Sequence, residues 1–130
     1  MRPVSRVAMG AALTLSALSM LAHNLYELPL SPIDPPNAGP IVFAALLGGA
    51  YAMWPDSKVV AAAALGWGVL NLVIGGIVTV VPLSVLPFVP EQSVTHYAAH
   101  LVYAVGQVPL VVLAYRALRA TTAAPAMRHG

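Results

Sequence analysis

Residues 93–115 read SVTHYAAHLVYAVGQVPLVVLAY, a run bounded by Glu91 and Arg116 with no charged side chain between them. A helix needs about 20 predominantly apolar residues to cross a hydrocarbon core of roughly 30 Å, and this run supplies them. Three further stretches have the same character. One runs from about Val4 to Tyr26, a second from about Pro40 to Trp54 and a third from about Lys58 to Val81. The second, at about 15 residues, covers only about 22 Å, so it must borrow from its flanks or sit where the bilayer is thin.

Composition agrees. Of 130 residues 59% are hydrophobic and 8% charged, against roughly 25% charged in soluble domains, which leaves too few charges to cover a water-facing surface. A soluble enzyme, a disordered chain and a disulfide-stapled module are thereby excluded, the last because there is no cysteine. The same absence removes thiolate metal sites, iron–sulfur clusters and catalytic thiols. The expected fold class is an all-α membrane protein, a four-transmembrane-helix antiparallel bundle forming one domain over residues 1–130, with 119–130 a flexible tail.

Pro29, Pro32, Pro35, Pro36 and Gly39 predict that residues 28–39 are not helical, and Pro82, Pro87 and Pro90 predict the same for 82–92. A tight turn is expected at Pro55-Asp56-Ser57. Threading four spans in order sends Arg2, Arg6, Lys58, Arg116, Arg119 and Arg128 to one side, and Glu27, Asp34 and Glu91 to the other. The positive-inside rule then places both termini in the cytoplasm of a multi-pass cell-membrane protein. The competing reading of the N-terminus is a signal peptide cleaved near Ala17-Leu18-Ser19, which would leave three spans. The basic residues sit at the chain ends and do not cluster with aromatics, so nucleic acid is not an expected partner. The expected partners are the lipid bilayer and another membrane protein or further copies of the chain.

Polar side chains inside the spans follow helical spacing. His96, His100, Tyr103 and Gln107 step along one face of the fourth span; Ser16, Ser19, His23 and Glu27 do so on the first. Counting outward from Arg6 and Arg116 puts His23 about 4–5 Å and His100 about 6 Å below the outer boundary. Glu27 and His96 form a second layer at the boundary, within reach of Asp34 or Glu91 on the loops. Antiparallel neighbours with matching layers bring all four side chains together. His23, Glu27, His96 and His100 are therefore the candidate metal ligands, in a set of imidazoles and a carboxylate that suits zinc, copper(II), iron or nickel. His23 and His100 are also candidate axial ligands for haem b, with the glycines making room for the macrocycle. A proton or substrate path is a third use, although the inner half of the bundle offers only Ser16, Gln107 and Tyr51. The alternative to all three is an accessory subunit of a larger membrane complex, in which the histidines are structural or interfacial.

No nucleophile–base pair, phosphate-binding glycine loop or His-Glu-x-x-His helix is present, so catalysis is not expected. Asn71 is expected to bond a neighbouring helix. Gln107 is expected to compensate for the Val105 carbonyl that Pro109 frees. Gly48, Gly49, Gly75 and Gly76 are expected to be close-packing surfaces, and Tyr51, Trp54 and Tyr115 an aromatic belt.

Overall fold

The computed structural model describes residues 3–87 and 89–123. Four α-helices follow one another: α1 (Arg6–Glu27), α2 (Pro35–Met53), α3 (Lys58–Leu70) and α4 (Val94–Ala123). No strand occurs among the described residues. Among the described residues three segments are long and apolar enough to cross a membrane: Arg6–Glu27, Lys58–Val80 and Val94–Thr122. Apolar side chains such as Val7, Val59, Leu46 and Leu101 point outward, while Ser16, Ser19, Asn71, His96, His100 and Gln107 are buried. That inverted distribution suits a surface that meets hydrocarbon, where polar groups must find partners inside the protein. The chain is a membrane protein.

Local chemistry sets the helix ends. Ser5 caps α1, its hydroxyl accepting from the Ala8 N–H at 3.1 Å. The helix stops at Leu28, which is extended because Pro29 follows it. The loop expected over 28–39 is shorter than its prolines suggested. Asp34 takes the N-cap backbone conformation, and Pro35 and Pro36 fill the first two helical positions, where a missing N–H costs nothing. The expected start of the second helix at Pro40 is thus corrected to Pro35, and Pro40 lies inside α2. This helix is not among the segments long and apolar enough to span. Ser57 caps α3 by accepting from Val60 N–H at 3.3 Å.

The single helix expected over 58–81 is broken. After Leu70 the chain widens into a π turn over Asn71–Gly75 and then tightens into a 3-10 turn over Val78–Val80. Helix α4 runs unbroken through Pro109 and reaches Ala123, so residues 119–123, expected in a flexible tail, are helical; residues 124–130 of that expectation lie outside the described residues.

Helix α1 packs most extensively on α4, and α4 on α3. Both pairings are antiparallel, since Ser16 meets Gln107 and His23 meets His100, while Gly68 meets Leu110 and Gly75 meets Tyr103. Arg6, Lys58, Arg116 and Arg119 consequently share one end of the bundle, and Glu27 and Asp34 the other. Near the basic end Met9, Leu13, Leu47, Ala61, Leu110 and Ala114 form the apolar core. Tyr51 belongs to this core rather than to an aromatic belt: it is buried, and its hydroxyl donates to the Val4 carbonyl at 3.2 Å.

Close approach depends on glycine at particular places. A β-carbon at Gly76 would lie 2.7 Å from the Leu72 carbonyl oxygen and 2.9 Å from Ala104 Cβ, and one at Gly75 would strike the Tyr103 ring. Both therefore pack, as their pattern predicted. A β-carbon at Gly49 would meet nothing within 4 Å, so the close packing expected there is absent, whereas Gly106, whose importance the spacing did not reveal, abuts Ser19.

Candidate functional site

At the acidic end of the bundle the two polar seams meet. His23 Nε2 lies 3.0 Å from His100 Nε2, and His96 Nδ1 lies 2.6 Å from Glu27 Oε2. The imidazole of His100 stands edge-on to both others, with ring centroids 4.2 Å from His23 and 4.5 Å from His96. The layering counted from the arginines is present, His23 level with His100 and Glu27 with His96. The loop acids do not join: Asp34 accepts from the Ser31 N–H at 2.6 Å, and Glu91 is exposed.

The hydrogen-bond partners fix which ring nitrogens carry protons. His100 Nδ1 faces the Gly75 carbonyl at 2.9 Å, and a carbonyl only accepts, so Nδ1 is the donor. The π turn supplies this carbonyl beside α4; Gly75 O also accepts from Thr79 Oγ1 at 2.8 Å. His23 is fixed through a longer chain. Asn37 Nδ2 donates to the Ser31 carbonyl at 2.8 Å, which turns its Oδ1 toward Asn24. Asn24 Nδ2 donates to that oxygen at 2.9 Å, which turns its own Oδ1 toward His23 Nδ1 at 3.0 Å. His23 Nδ1 must therefore be the donor. His96 Nδ1 donates to the Glu27 carboxylate, and its buried Nε2 has no hydrogen-bond partner.

In their neutral forms all three imidazoles thus spend Nδ1–H on an oxygen and leave Nε2 with a lone pair. The nitrogens of His23 and His100 face each other as two acceptors, which neutral rings cannot satisfy. A proton on one ring, which then donates to the other, would satisfy them, and so would a metal cation between them. Among the described residues, however, no three His, Asp or Glu side chains are gathered so as to hold a metal ion as they stand. Glu27 in particular is engaged with His96 rather than turned toward the histidine pair.

The haem expectation is corrected. Imidazoles on opposite sides of a metal stand about 4 Å apart, twice a metal–nitrogen bond of roughly 2.0–2.1 Å, whereas the nitrogens here are 3.0 Å apart with the rings in contact. No macrocycle fits between them, and the space beside Gly75 and Gly76 is filled by Tyr103 and Ala104.

Below the histidines lies a satisfied polar layer. Tyr103 donates to Asn71 Oδ1 at 2.6 Å, and Asn71 Nδ2 donates back to the Trp67 carbonyl at 2.8 Å, so Asn71 does bond a neighbouring helix. Gln107 does not turn back to the Val105 carbonyl. It crosses to α1, accepting from Ser16 Oγ and donating to Ser19 Oγ at 3.1 Å. Asn24 and Asn37, unassigned by helical spacing, are the residues that sequence reasoning missed. No family model, curated protein or solved structure matches the chain.

Proposed function

We propose that this chain is a four-span membrane bundle with both termini cytoplasmic, which binds one divalent transition metal ion at its outer end. The ligands are His23 and His100, with His96 the third imidazole and Glu27 behind it. The observation that carries the reading is the pair of facing Nε2 acceptors 3.0 Å apart. Two nitrogens on a tetrahedral zinc stand about 3.3 Å apart, given bonds of roughly 2.0–2.1 Å, so seating an ion requires only a few tenths of an ångström. Anchoring of every Nδ1–H on an oxygen is how metal-binding histidines are commonly oriented. The Glu27 carboxylate supplies compensating charge in a setting where an isolated cation would be costly. His96 completes the set by turning its buried Nε2 toward the pair.

Helix α2, at 19 residues, is about 28 Å long, close enough to the hydrocarbon thickness for the bilayer to adjust. The shared basic end of the bundle supports the orientation. A reporter fused to the C-terminus is expected to read cytoplasmic; an external signal would overturn the threading and turn the histidines to the inner face.

The test of the site is metal content. Protein purified in detergent and loaded with zinc or copper(II) is expected to retain one ion per chain by elemental analysis. Gln107→Leu, which alters the polar layer beneath, should retain the same amount. Protein that takes up neither metal, nor iron or nickel, refutes the reading; if it then co-purifies with another membrane protein, the accessory-subunit reading replaces it.

A further inference from the structure

Asn37 sits in the first turn of α2, fully buried, and its amide bridges two chain segments: it donates to the Ser31 carbonyl and accepts from Asn24, which accepts from His23. We infer that Asn37 is a positioning residue that sets the tautomer of His23 from the connection between α1 and α2, so that Nε2 is the metal-binding nitrogen. The inference rests on the metal reading of the site.

A backbone carbonyl cannot donate, so Ser31 dictates the orientation of the Asn37 amide. Asn37 dictates that of Asn24, and Asn24 that of the proton on His23. None of these amides could be reversed without leaving a donor facing a donor or an acceptor facing an acceptor, at buried Asn37 and at half-buried Asn24. The cost is greatest at Asn37, where water cannot take the place of the lost partner, so Asn37 fixes the direction of the relay. His100 needs no relay, because the π turn brings a carbonyl directly to its Nδ1. His23 lies on a regular helix whose own carbonyls are taken, and requires a side chain to do the same work. The proline-led start of α2 explains why Asn37 can reach: with Pro35 and Pro36 in the first two positions, the third falls against α1.

Two substitutions separate tautomer control from simple anchoring of the loop. Asn37→Asp gives up the donation to the Ser31 carbonyl, and with it the loop anchor, but keeps an acceptor for Asn24 and therefore the proton on His23 Nδ1. Asn37→Leu removes it and frees the Asn24 amide to turn over. Nitrogen-15 NMR of histidine-labelled, metal-free protein at a pH of about 8, where imidazoles are neutral, reads the tautomer directly; the His23 signals are identified by their loss in His23→Gln. Wild type and Asn37→Asp are expected to carry the proton on Nδ1. Asn37→Leu is expected to shift toward the Nε2–H form and to bind zinc about 10–100-fold more weakly. Should Asn37→Leu fail to fold, Asn37→Ser, too short to join Ser31 to Asn24, gives the same comparison.

His23 protonated on Nε2 in the wild type overturns the inference, as does a tautomer unchanged in Asn37→Leu. Equal loss of the Nδ1–H form in Asn37→Asp and Asn37→Leu also overturns it, reducing Asn37 to a loop anchor. The two readings fail separately. Wild-type protein that binds no zinc defeats the metal site while the NMR comparison still judges the relay. Zinc bound normally with the tautomer indifferent to Asn37 defeats the relay alone.

Discussion

His100→Ala is expected to reduce the retained metal from one ion per chain to none, while the protein stays helical by circular dichroism. His100 is the hub of the cluster: its Nε2 faces His23, its ring touches His96, and its Nδ1 holds the π turn through Gly75. Removing it leaves His23 and His96 without a shared neighbour. It also leaves Gly75 O with Thr79 as its remaining side-chain donor. Because that carbonyl stays satisfied, the hydrogen-bond penalty is of the order of one net bond, about 0.5–1.5 kcal/mol. That is small beside the apolar core at the other end of the bundle, so loss of metal is expected without collapse. His96→Ala is the instructive contrast, because the facing pair survives; binding should weaken and not vanish. Equal metal content in His100→Ala and wild type would place the ion elsewhere.

Gly106→Leu is expected to disable both the packing and the site. A β-carbon at Gly106 would overlap Ser19 Cβ and Oγ, and Ser19 Cβ is tied to the α1 backbone, so the two helices must separate. Overpacking of this kind costs about 1–3 kcal/mol for modest additions, and a leucine exceeds a methyl group by three carbons. Separation of even 1 Å would carry His23 and His100 from 3.0 Å to about 4 Å, past the roughly 3.3 Å that two nitrogens span on a tetrahedral ion. The expected outcome is a lowered thermal midpoint in detergent together with lost zinc retention. Gly49→Leu is the matched control, since a β-carbon there meets nothing within 4 Å. A Gly106→Leu protein as stable and as metal-competent as wild type would show that α1 and α4 do not pack through this contact.

Much of this arrangement was legible in the residues. The i, i+4 spacing of His96 and His100, and the matching steps from Ser16 to Glu27, gave faces and heights because an α-helix has a fixed rise. Counting from the arginines therefore found the His23–His100 and Glu27–His96 partners. Three features escaped for physical reasons. Pro35 and Pro36 resemble helix breakers until one considers that the first helical positions need no N–H; Asp34 before them was the available signal. The π turn at Asn71–Gly75 has no composition of its own, and it arises where α3 settles against Tyr103 and Ala104. Asn24 and Asn37 were invisible to spacing because their partnership joins two helices across an irregular connection. A polar residue at the third position of a proline-led helix, next to an Asn beside a His, is the pattern to look for.

The first and last helices furnish opposite halves of the histidine pair, 77 residues apart in the chain. During synthesis His23 emerges early and waits through two further helices before its counterpart exists. On the proposed reading, a chain halted before α4 is inserted holds only half of the facing pair, however well its earlier helices have settled. On the metal reading, capture of an ion by the pair is thereby tied to the insertion of α4.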